Sequence, residues 1–350
     1  MKFIAPGSFI GVAAATLLHA SLTFGGTPVV PGTGSLISYM GDDFENPNWG
    51  FHHNFPKSSR ENDERTRSPM GRSANGLWIE GPERGQPDDM KVIPTPEGGL
   101  PGSQYALRIR TLNSGVPGWR NNDVEQDDLI LNSMKRIGTI PLHEIPNCVV
   151  RVYLPPVDQW ENRSGPHFGF RVSLAAKVTG YEDEKKGFRA FQRKVTKWEP
   201  YWPGMWVHFR SKTDRGAQED SAFIKVRGDR SGRDFKVKEI PVEQFGWWTM
   251  GMSVTGDGQV HYYASPGVDN LTTADHLTSQ YPYSFHGLNY RTFFFNSCNR
   301  NDGRSWSTPF VIDDPQLYLV RSQRVEQLVA RKTRNKSTAK KRSGSSRQSR

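Results

Sequence analysis

Cysteine and the usual metal motifs are scarce in this chain of 350 residues, whose two cysteines are Cys148 and Cys298. The sequence contains no HExxH, no CxxC and no calcium-loop spacing, which excludes the metal sites that such motifs mark. No glycine-rich phosphate loop and no Ser–His–Asp signature stands out either. Short motifs therefore do not identify a catalytic centre.

Long apolar runs are also lacking. The longest, Phe9–Leu18, has about ten residues, whereas a bilayer-spanning helix needs about 20. Lys2 precedes this run, His19 ends it and small residues follow, so we interpret residues 1–26 as a secretory signal cleaved between about 20 and 26. The alternative is a membrane anchor. Cleavage predicts a secreted, periplasmic or cell-envelope protein without a transmembrane segment.

Export would place the two cysteines in an oxidising compartment, where one disulfide can form. Cys148 opens one predicted strand and Cys298 closes another. A pair of buried thiols is the alternative, and the residues leave both interpretations open. We take a Cys148–Cys298 disulfide as the prediction, which thiol titration of the denatured, unreduced protein can test.

Long helical periodicity and internal repeats are missing as well, although Tyr181–Lys197 and Arg324–Ala330 could each hold a short helix. Instead, apolar and polar residues alternate strictly in many segments. In the segment 166–174 the apolar side chains of Phe168, Phe170 and Val172 alternate with polar ones, as on a strand with one buried face. Further strands are predicted at regular spacing, at 34–46, 77–80, 105–111, 128–132, 148–154, 167–178, 205–210, 222–226, 248–255, 259–264, 291–297 and 310–320. Gly256-Asp257-Gly258 predicts a hairpin turn between two of them.

This pattern predicts an all-β protein, a two-sheet antiparallel β-sandwich with long loops and a disordered C-terminal tail. The distribution of charge along the sequence supports a boundary between this domain and the tail. The chain has a net charge of +10, and all of it lies in residues 321–350, which hold 11 Lys or Arg and the single acid Glu326. We therefore predict a signal at 1–26, one domain at 27–320 and a basic tail at 321–350. The neutral domain argues against a specific nucleic-acid partner, while the tail could hold the protein to an anionic surface.

Three segments resemble the concanavalin A-like lectin/glucanase superfamily, which includes laminin-G-like modules, glycoside hydrolases and polysaccharide lyases. They are Asp42-Asp43-Phe44-Glu45, Gly258-Gln259-Val260-His261-Tyr262-Tyr263, and Phe310-Val311-Ile312-Asp313-Asp314-Pro315-Gln316-Leu317-Tyr318. The resemblance covers about residues 34–320 and implies a jelly roll whose concave face often holds carbohydrate. It also implies a structural calcium near the chain ends, with Asp43 and Asp313 as candidate ligands. The alternative is that these aspartates only cap turns, and no other cofactor is expected.

Four predicted strands place polar groups opposite an apolar face. If they are neighbours, one groove would collect cationic, imidazole and aromatic side chains that suit an acidic polysaccharide. The candidate substrate-binding residues are Arg120, Asn122, Arg151, Tyr153, His167, Trp206 and Arg210. The alternative for each residue is that an antiparallel sheet simply has one solvated face.

The same groove suggests β-elimination by a polysaccharide lyase, which needs a cation beside the uronate carboxylate and an acid and a base. Arg171 is the candidate cation, His208 or His261 the candidate base and Tyr263 the candidate acid. A hydrolase would need paired carboxylates, and Asp123-Val124-Glu125-Gln126-Asp127 has the spacing but reads better as a solvated turn. A non-catalytic glycan-binding module and a structural laminin-G-like module remain the alternatives.

Overall fold

The computed structural model describes residues 26–186 and 189–322. The predicted signal at 1–26 and the predicted basic tail at 321–350 lie almost entirely outside the described residues. Within the described part of the chain, no helix is both long enough and apolar enough to cross a membrane.

Strands dominate the described residues. The first ten are β1 (Ser35–Leu36), β2 (Phe51–His52), β3 (Arg72–Ser73), β4 (Trp78–Glu80), β5 (Asp89–Pro94), β6 (Tyr105–Arg110), β7 (Glu125–Leu131), β8 (Ile140–Pro141), β9 (Pro146–Tyr153) and β10 (Gly165–Lys186). The rest are β11 (Arg189–Tyr201), β12 (Gly204–Arg210), β13 (Ser221–Arg227), β14 (Asp234–Ile240), β15 (Trp247–Val254), β16 (Val260–Pro266), β17 (His276–Gln280), β18 (Gly287–Asn299) and β19 (Phe310–Leu319). Helices are short: α1 (Arg60–Asp63), α2 (Ser133–Arg136) and the 3-10 turns Leu142–Glu144, Val157–Gln159, Val242–Gln244, Thr273–Asp275 and Pro282–Ser284.

The strands form two antiparallel sheets packed as a sandwich, which confirms the predicted fold class. The eight-stranded sheet runs β17-β16-β15-β9-β19-β6-β5, with β1 beside β19. The eleven-stranded sheet runs β14-β13-β12-β10-β18-β7-β4-β3-β2, with β11 also paired to β10 and β8 to β18.

The core lies between the sheets because the alternating apolar side chains of both point inward. Phe168 and Phe170 of β10 stack against Phe295 of the neighbouring β18. Val150 and Val152 of β9 enter the same core from the other sheet, and all five side chains are fully buried. Burying one such side chain contributes about 1.5–3 kcal/mol, so this layer is the main source of stability.

The short helix that the sequence allowed within Tyr181–Lys197 is not found among its described residues, which are strand. The segment belongs to a long hairpin in which β10 and β11 pair from Leu174 with Tyr201 to Lys186 with Arg189. A two-stranded ribbon beyond the sheet satisfies its backbone by cross-strand hydrogen bonds and need not bury an apolar face. A charged segment without apolar period can therefore be a strand here.

Two further segments test the strand assignments. Residues 47–103, where the sequence predicts only the short strand at 77–80, also contain β2, β3 and β5, and the weak apolar pattern did not reveal the pairing of β5 with β6. The hairpin at Gly256-Asp257-Gly258 is confirmed, since it joins β15 to β16. Gly258 is required there, because its φ is 86° and a Cβ would lie 2.5 Å from the backbone nitrogen of Gly287.

Candidate functional site

The predicted groove is divided between the two outer faces of the sandwich. β10 and β12 belong to the eleven-stranded sheet, whereas β9 and β16 belong to the eight-stranded one. The outward residues Arg171, Trp206, His208 and Arg210 therefore lie on one face, and Arg151, Tyr153, His261 and Tyr263 lie on the opposite face. The prediction of one shared groove is wrong, because the core lies between these sets. Strand order decides this, and alternation within single strands does not report it.

The outer face of the eight-stranded sheet is covered by chain. The guanidinium of Arg151 donates to the carbonyl of Val268 at 3.2 Å and to Asn270 Oδ1 at 2.9 Å. Tyr263 is 1% exposed in an apolar cluster with Leu271. Tyr153 packs edge-on to Trp247. A polysaccharide chain cannot reach the buried members of this set without displacing the covering loop.

His167 does not face the groove side of its own strand. A register shift between Pro166 and Phe168 interrupts the pairing of β10 with β12 and turns the imidazole inward. There Nδ1 lies 2.7 Å from Thr308 Oγ1, Nε2 lies 3.1 Å from the carbonyl of Arg163, and the ring is fully buried. The expectation that His167 lines the groove is therefore wrong.

Arg120 and Asn122 lie on an exposed loop at one end of the sandwich. The side chain of Arg120 packs against Gly303, where a Cβ would clash with it. The backbone nitrogen of Asn122 donates to the carbonyl of Asn301 at 3.4 Å. In the next strand the carboxylates of the hydrolase motif are engaged: Glu125 pairs with Arg84, and Asp127 accepts from Lys57 Nζ at 2.5 Å.

The outer face of the eleven-stranded sheet carries the densest set of outward polar and cationic groups, which we call the cationic face. Its members are Arg171, Trp206, His208, Phe223, Lys225, Arg227, Phe294 and Asn296. Gly169 forms its floor between Asn296 of β18 and Trp206 of β12. A Cβ at Gly169 would lie 2.5 Å from Asn296 Oδ1 and 3.0 Å from Trp206 Nε1. Only glycine lets these two polar atoms approach each other across the strand.

Two guanidinium groups hold the indole of Trp206. Arg171 lies 4.8 Å and Arg227 5.0 Å from its ring centroid, and Arg171 also lies 5.2 Å from that of Phe294. Trp206 is therefore buried and is not a free stacking platform. Burial lowers the pKa of Arg171 to about 10, so this side chain remains cationic at neutral pH.

Several polar atoms on the floor of the face converge. Asn296 Nδ2 donates to Asp128 Oδ1 at 2.6 Å, and Gln126 Nε2 donates to the same oxygen at 3.1 Å. Burial raises the pKa of Asp128, although Arg171 and Arg84 oppose this. Asn296 Oδ1 and Arg171 Nε are buried without a hydrogen-bond partner among the described residues. One acceptor and one charged donor thus face the same floor, a pair that a ligand with hydroxyl and carboxylate groups can satisfy.

His208 lies farther along β12 and stacks on Phe223 with ring centroids 5.5 Å apart. Burial, reinforced by the charge of Lys225, lowers the pKa of His208 to about 4, so the imidazole is neutral at pH 7. Arg171 is opposite Gly204, four residues before His208, which corresponds to about 13 Å along the strand. Arg171 and His208 therefore reach different parts of a bound chain.

Sequence reasoning missed Phe223, Lys225, Arg227 and Asn296. The signal was present, because Ser221–Arg227 alternates as cleanly as β10, with Ala222, Ile224 and Val226 inward. The sequence alone does not single out the outward residues of β13, because only the tertiary structure shows that β13 lies beside β12.

The two cysteines do not form a disulfide. Cys148 points into the core from the eight-stranded sheet, while Cys298 alternates with Phe295 and so lies on the outer side of the eleven-stranded sheet. Both thiols are free and buried, and burial raises the pKa of each to about 12. The disulfide prediction is wrong, because the outer position of Cys298 separates it from the core that Cys148 faces.

Of the aspartates proposed as calcium ligands, Asp313 lies on β19 within the eight-stranded sheet and Asp43 lies in the loop that follows β1. Asp313 is buried and accepts from Ser103 Oγ and from the backbone nitrogen of Asp314, both at 2.9 Å. Asp43 lines an open cleft of about 460 Å³. No group of three or more acidic, histidine or cysteine side chains among the described residues is arranged to hold a metal ion. Calcium also accepts backbone and amide oxygens, so the calcium site stays a prediction that chelation tests through the melting temperature.

No family model and no curated protein matches the sequence. Solved structures match at low identity. A carbohydrate esterase from a Shiga toxin-encoding bacteriophage is 10% identical over 71% of this chain and 91% of its own, with a TM-score of 0.37. An alginate lyase from Pseudomonas aeruginosa is 10% identical over 67% of this chain and 86% of its own, with a TM-score of 0.33. The exoplasmic/lumenal domain of VIP36, in a Ca2+/mannose-bound form, is 9% identical over 71% of this chain and 85% of its own, with a TM-score of 0.30.

The described strands of this chain form two antiparallel sheets, as the resemblance stated from the sequence implies. No residue role and no substrate passes from these proteins to this chain at such identities.

Proposed function

We propose that the protein binds an acidic polysaccharide across the cationic face of the eleven-stranded sheet. The observation that carries this proposal is a pair of buried polar atoms on this face, Asn296 Oδ1 opposite Gly169 and Arg171 Nε two residues farther along β10, which have no hydrogen-bond partner among the described residues. Arg171 offers a charged donor to a carboxylate or sulfate, and Asn296 offers an acceptor to a neighbouring hydroxyl.

The charge of the strands beside this floor supports the same partner. The outward side chains of β10 and of β12 to β14 include the cations Arg171, Arg210, Lys225, Arg227 and Lys236 and the acids Asp234 and Glu239. Asp234 pairs with Arg227 at 2.8 Å, and Glu239 pairs with Lys236. A positive excess therefore remains, which attracts a polyanion and weakens as salt rises. The predicted signal at 1–26 supports action outside the cytoplasm.

The test is retention of the purified full-length chain on uronate-containing and sulfated polysaccharides, with a neutral glucan as the control ligand. We expect retention on the anionic ligands only. Lys225→Gln should weaken binding up to about fivefold, since it removes one partly exposed charge. Lys91→Gln removes an exposed charge from the other sheet and is the matched control, which should bind normally. Equal retention on the neutral glucan would contradict the proposal.

β-Elimination on the same face is a second candidate. The observation in its favour is His208, whose lowered pKa of about 4 leaves it free to accept a proton at neutral pH. Arg171 is too far along the strand to act on the same sugar ring as His208, so Lys225, whose charge acts on His208, would neutralise the uronate carboxylate. His261 and Tyr263 belong to the other outer face and would take no part.

The same polysaccharide panel separates the two candidates through the ultraviolet absorbance of unsaturated products. A rising absorbance that His208→Gln abolishes would support a lyase. Retention without absorbance would favour a binding module, and neither signal from a folded protein would favour a structural module.

A further inference from the structure

A second cluster of polar side chains lies on the eight-stranded sheet, far from the cationic face. Its centre is Ser279 on the edge strand β17, directly opposite His261 on β16. Ser279 Oγ lies 2.6 Å from His261 Nδ1 and 2.8 Å from His276 Nε2. Ser279 retains part of its surface to solvent, whereas His261 is fully buried.

The other nitrogen of His261 leads to a carboxylate. His261 Nε2 lies 2.9 Å from Thr255 Oγ1, and that hydroxyl donates to Asp257 Oδ1 at 2.6 Å. Asp257 also accepts from Tyr281 Oη and from the backbone nitrogen of Gly26, each at 2.6 Å. Burial would raise the pKa of Asp257, but the hydrogen bonds from Thr255 and Tyr281 outweigh it and lower that pKa to about 2.

The number of protons in this hydrogen-bond network determines which atom donates in each bond. Thr255 gives its single hydroxyl proton to the ionised Asp257, so the proton between Thr255 and His261 must sit on Nε2. His261 Nδ1 then carries a lone pair, and Ser279 must donate its hydroxyl proton to it. His276 Nε2 consequently donates to Ser279 Oγ. This arrangement places a hydroxyl against a base whose tautomer is set by a third group.

We propose that Ser279 is a nucleophile for acyl transfer from a carboxylic ester, with His261 as its general base and Thr255 and Asp257 as positioning residues. The proposal is independent of the glycan-binding function, because it uses the opposite outer face. His276 stands edge-on to Tyr263 with ring centroids 5.1 Å apart. Tyr263 is itself buried against Leu271, so little apolar surface remains for an acyl chain, which points to a short acyl group such as acetyl.

The reaction balances with water as the second substrate. Ser279 Oγ bonds to the ester carbonyl carbon as its proton passes to His261 Nδ1, and the Nε2–H of His276 is the nearest donor for the developing oxyanion. The C–O bond to the alcohol then breaks, and His261 returns the proton to the leaving oxygen. Water repeats these steps on the acyl-serine with His261 as base, which releases the carboxylic acid and restores Ser279.

The signal in the sequence is dispersed. Asp257 follows Thr255 in a tight turn, His261 is the second residue of the returning strand β16, and Ser279 is 18 positions farther along the chain. Only the register of β16 with β17 brings the hydroxyl to the imidazole, which is why no Ser–His–Asp signature stands out in the sequence.

The test is covalent labelling of the full-length chain with diisopropyl fluorophosphate, read by intact mass and peptide mapping, together with hydrolysis of p-nitrophenyl acetate. We expect one adduct, on Ser279, and at least a 100-fold loss of both signals in Ser279→Ala. Thr278→Ala changes the neighbouring hydroxyl on the opposite side of the strand and should keep both signals. Absence of an adduct on the native wild type, an adduct elsewhere, or unchanged hydrolysis by Ser279→Ala would overturn the proposal.

Thr255 needs a measurement that a purely structural role would not move. Thr255→Val should lower the acylation rate about tenfold and shift the acidic limb of its pH–rate profile. Thr255→Ser should restore both the rate and the profile. The limb reports the pKa of His261, which burial and the facing His276 lower to about 4 against the opposing effect of Asp257. We expect the wild type still to be acylated at pH 5. An acidic limb of the pH–rate profile that is the same in Thr255→Val as in the wild type would exclude the positioning role.

Discussion

Gly169 is the single residue on which the geometry of the cationic face depends most. Its missing side chain lets Asn296 Oδ1 and Trp206 Nε1 approach across β10. Gly169→Ala would push a methyl group into both, so we expect polysaccharide binding to fall at least tenfold. Gly180→Ala on the same strand is the matched control, because nothing lies within 4 Å of its Cβ position. Affinities measured by calorimetry would decide, and equal losses in both variants would point to a general effect on β10.

His208 makes a separate prediction at the residue scale, about stability. Burial and Lys225 lower its pKa to about 4 in the folded protein, against about 6.5 in the unfolded chain. The unfolded state therefore binds the proton first as pH falls, and stability is lost between about pH 6.5 and pH 4. The loss amounts to about 2 kcal/mol at pH 5.

His208→Gln removes this titration, so its free energy of unfolding should change less between pH 7 and pH 5 than that of the wild type. Urea denaturation at both values measures the difference. Identical changes in the two proteins would mean that His208 is not held neutral by the fold.

At the scale of elements, strand order decides which side chains meet. β9 and β18 belong to different sheets, and the alternation within each places Cys148 inside and Cys298 outside. We therefore expect two reactive thiols per chain after denaturation without reductant, and almost none in the folded protein, because both are buried and burial raises both pKa values to about 12. Titration with a chromogenic disulfide reagent measures both counts. Fewer than two thiols after denaturation would restore the disulfide.

The elements also differ in how well the sequence predicts them. Strands with one buried face, such as β10 and β12, are readable because their apolar residues alternate. The arm formed by the ends of β10 and β11 is not, since no buried face imposes a pattern on it. The inward turn of His167 depends on one register shift against β12, which a partner strand imposes and alternation cannot report.

The whole molecule combines a neutral domain with a basic tail of net charge +10 at residues 321–350. If the tail assists binding to anionic surfaces, its loss should lower retention on an anionic resin at low salt and flatten the salt dependence. Deletion of 323–350 tests this, and a tail with its Lys and Arg changed to Gln controls for length. Unchanged retention after deletion would leave all polyanion binding to the cationic face.

The fold class, most long strands and the hairpin at Gly256-Asp257-Gly258 can be predicted from the sequence alone. These follow from local patterns, because the alternation of a strand and the chemistry of a turn are set by residues that are neighbours in the chain. The fold in three dimensions is needed to know that Asn296 lies opposite Gly169, that His208 and His261 are on opposite faces, and that Ser279 contacts His261. Such contacts depend on which strands are adjacent and in what register, and pairing across long sequence separations leaves no periodic trace in either partner.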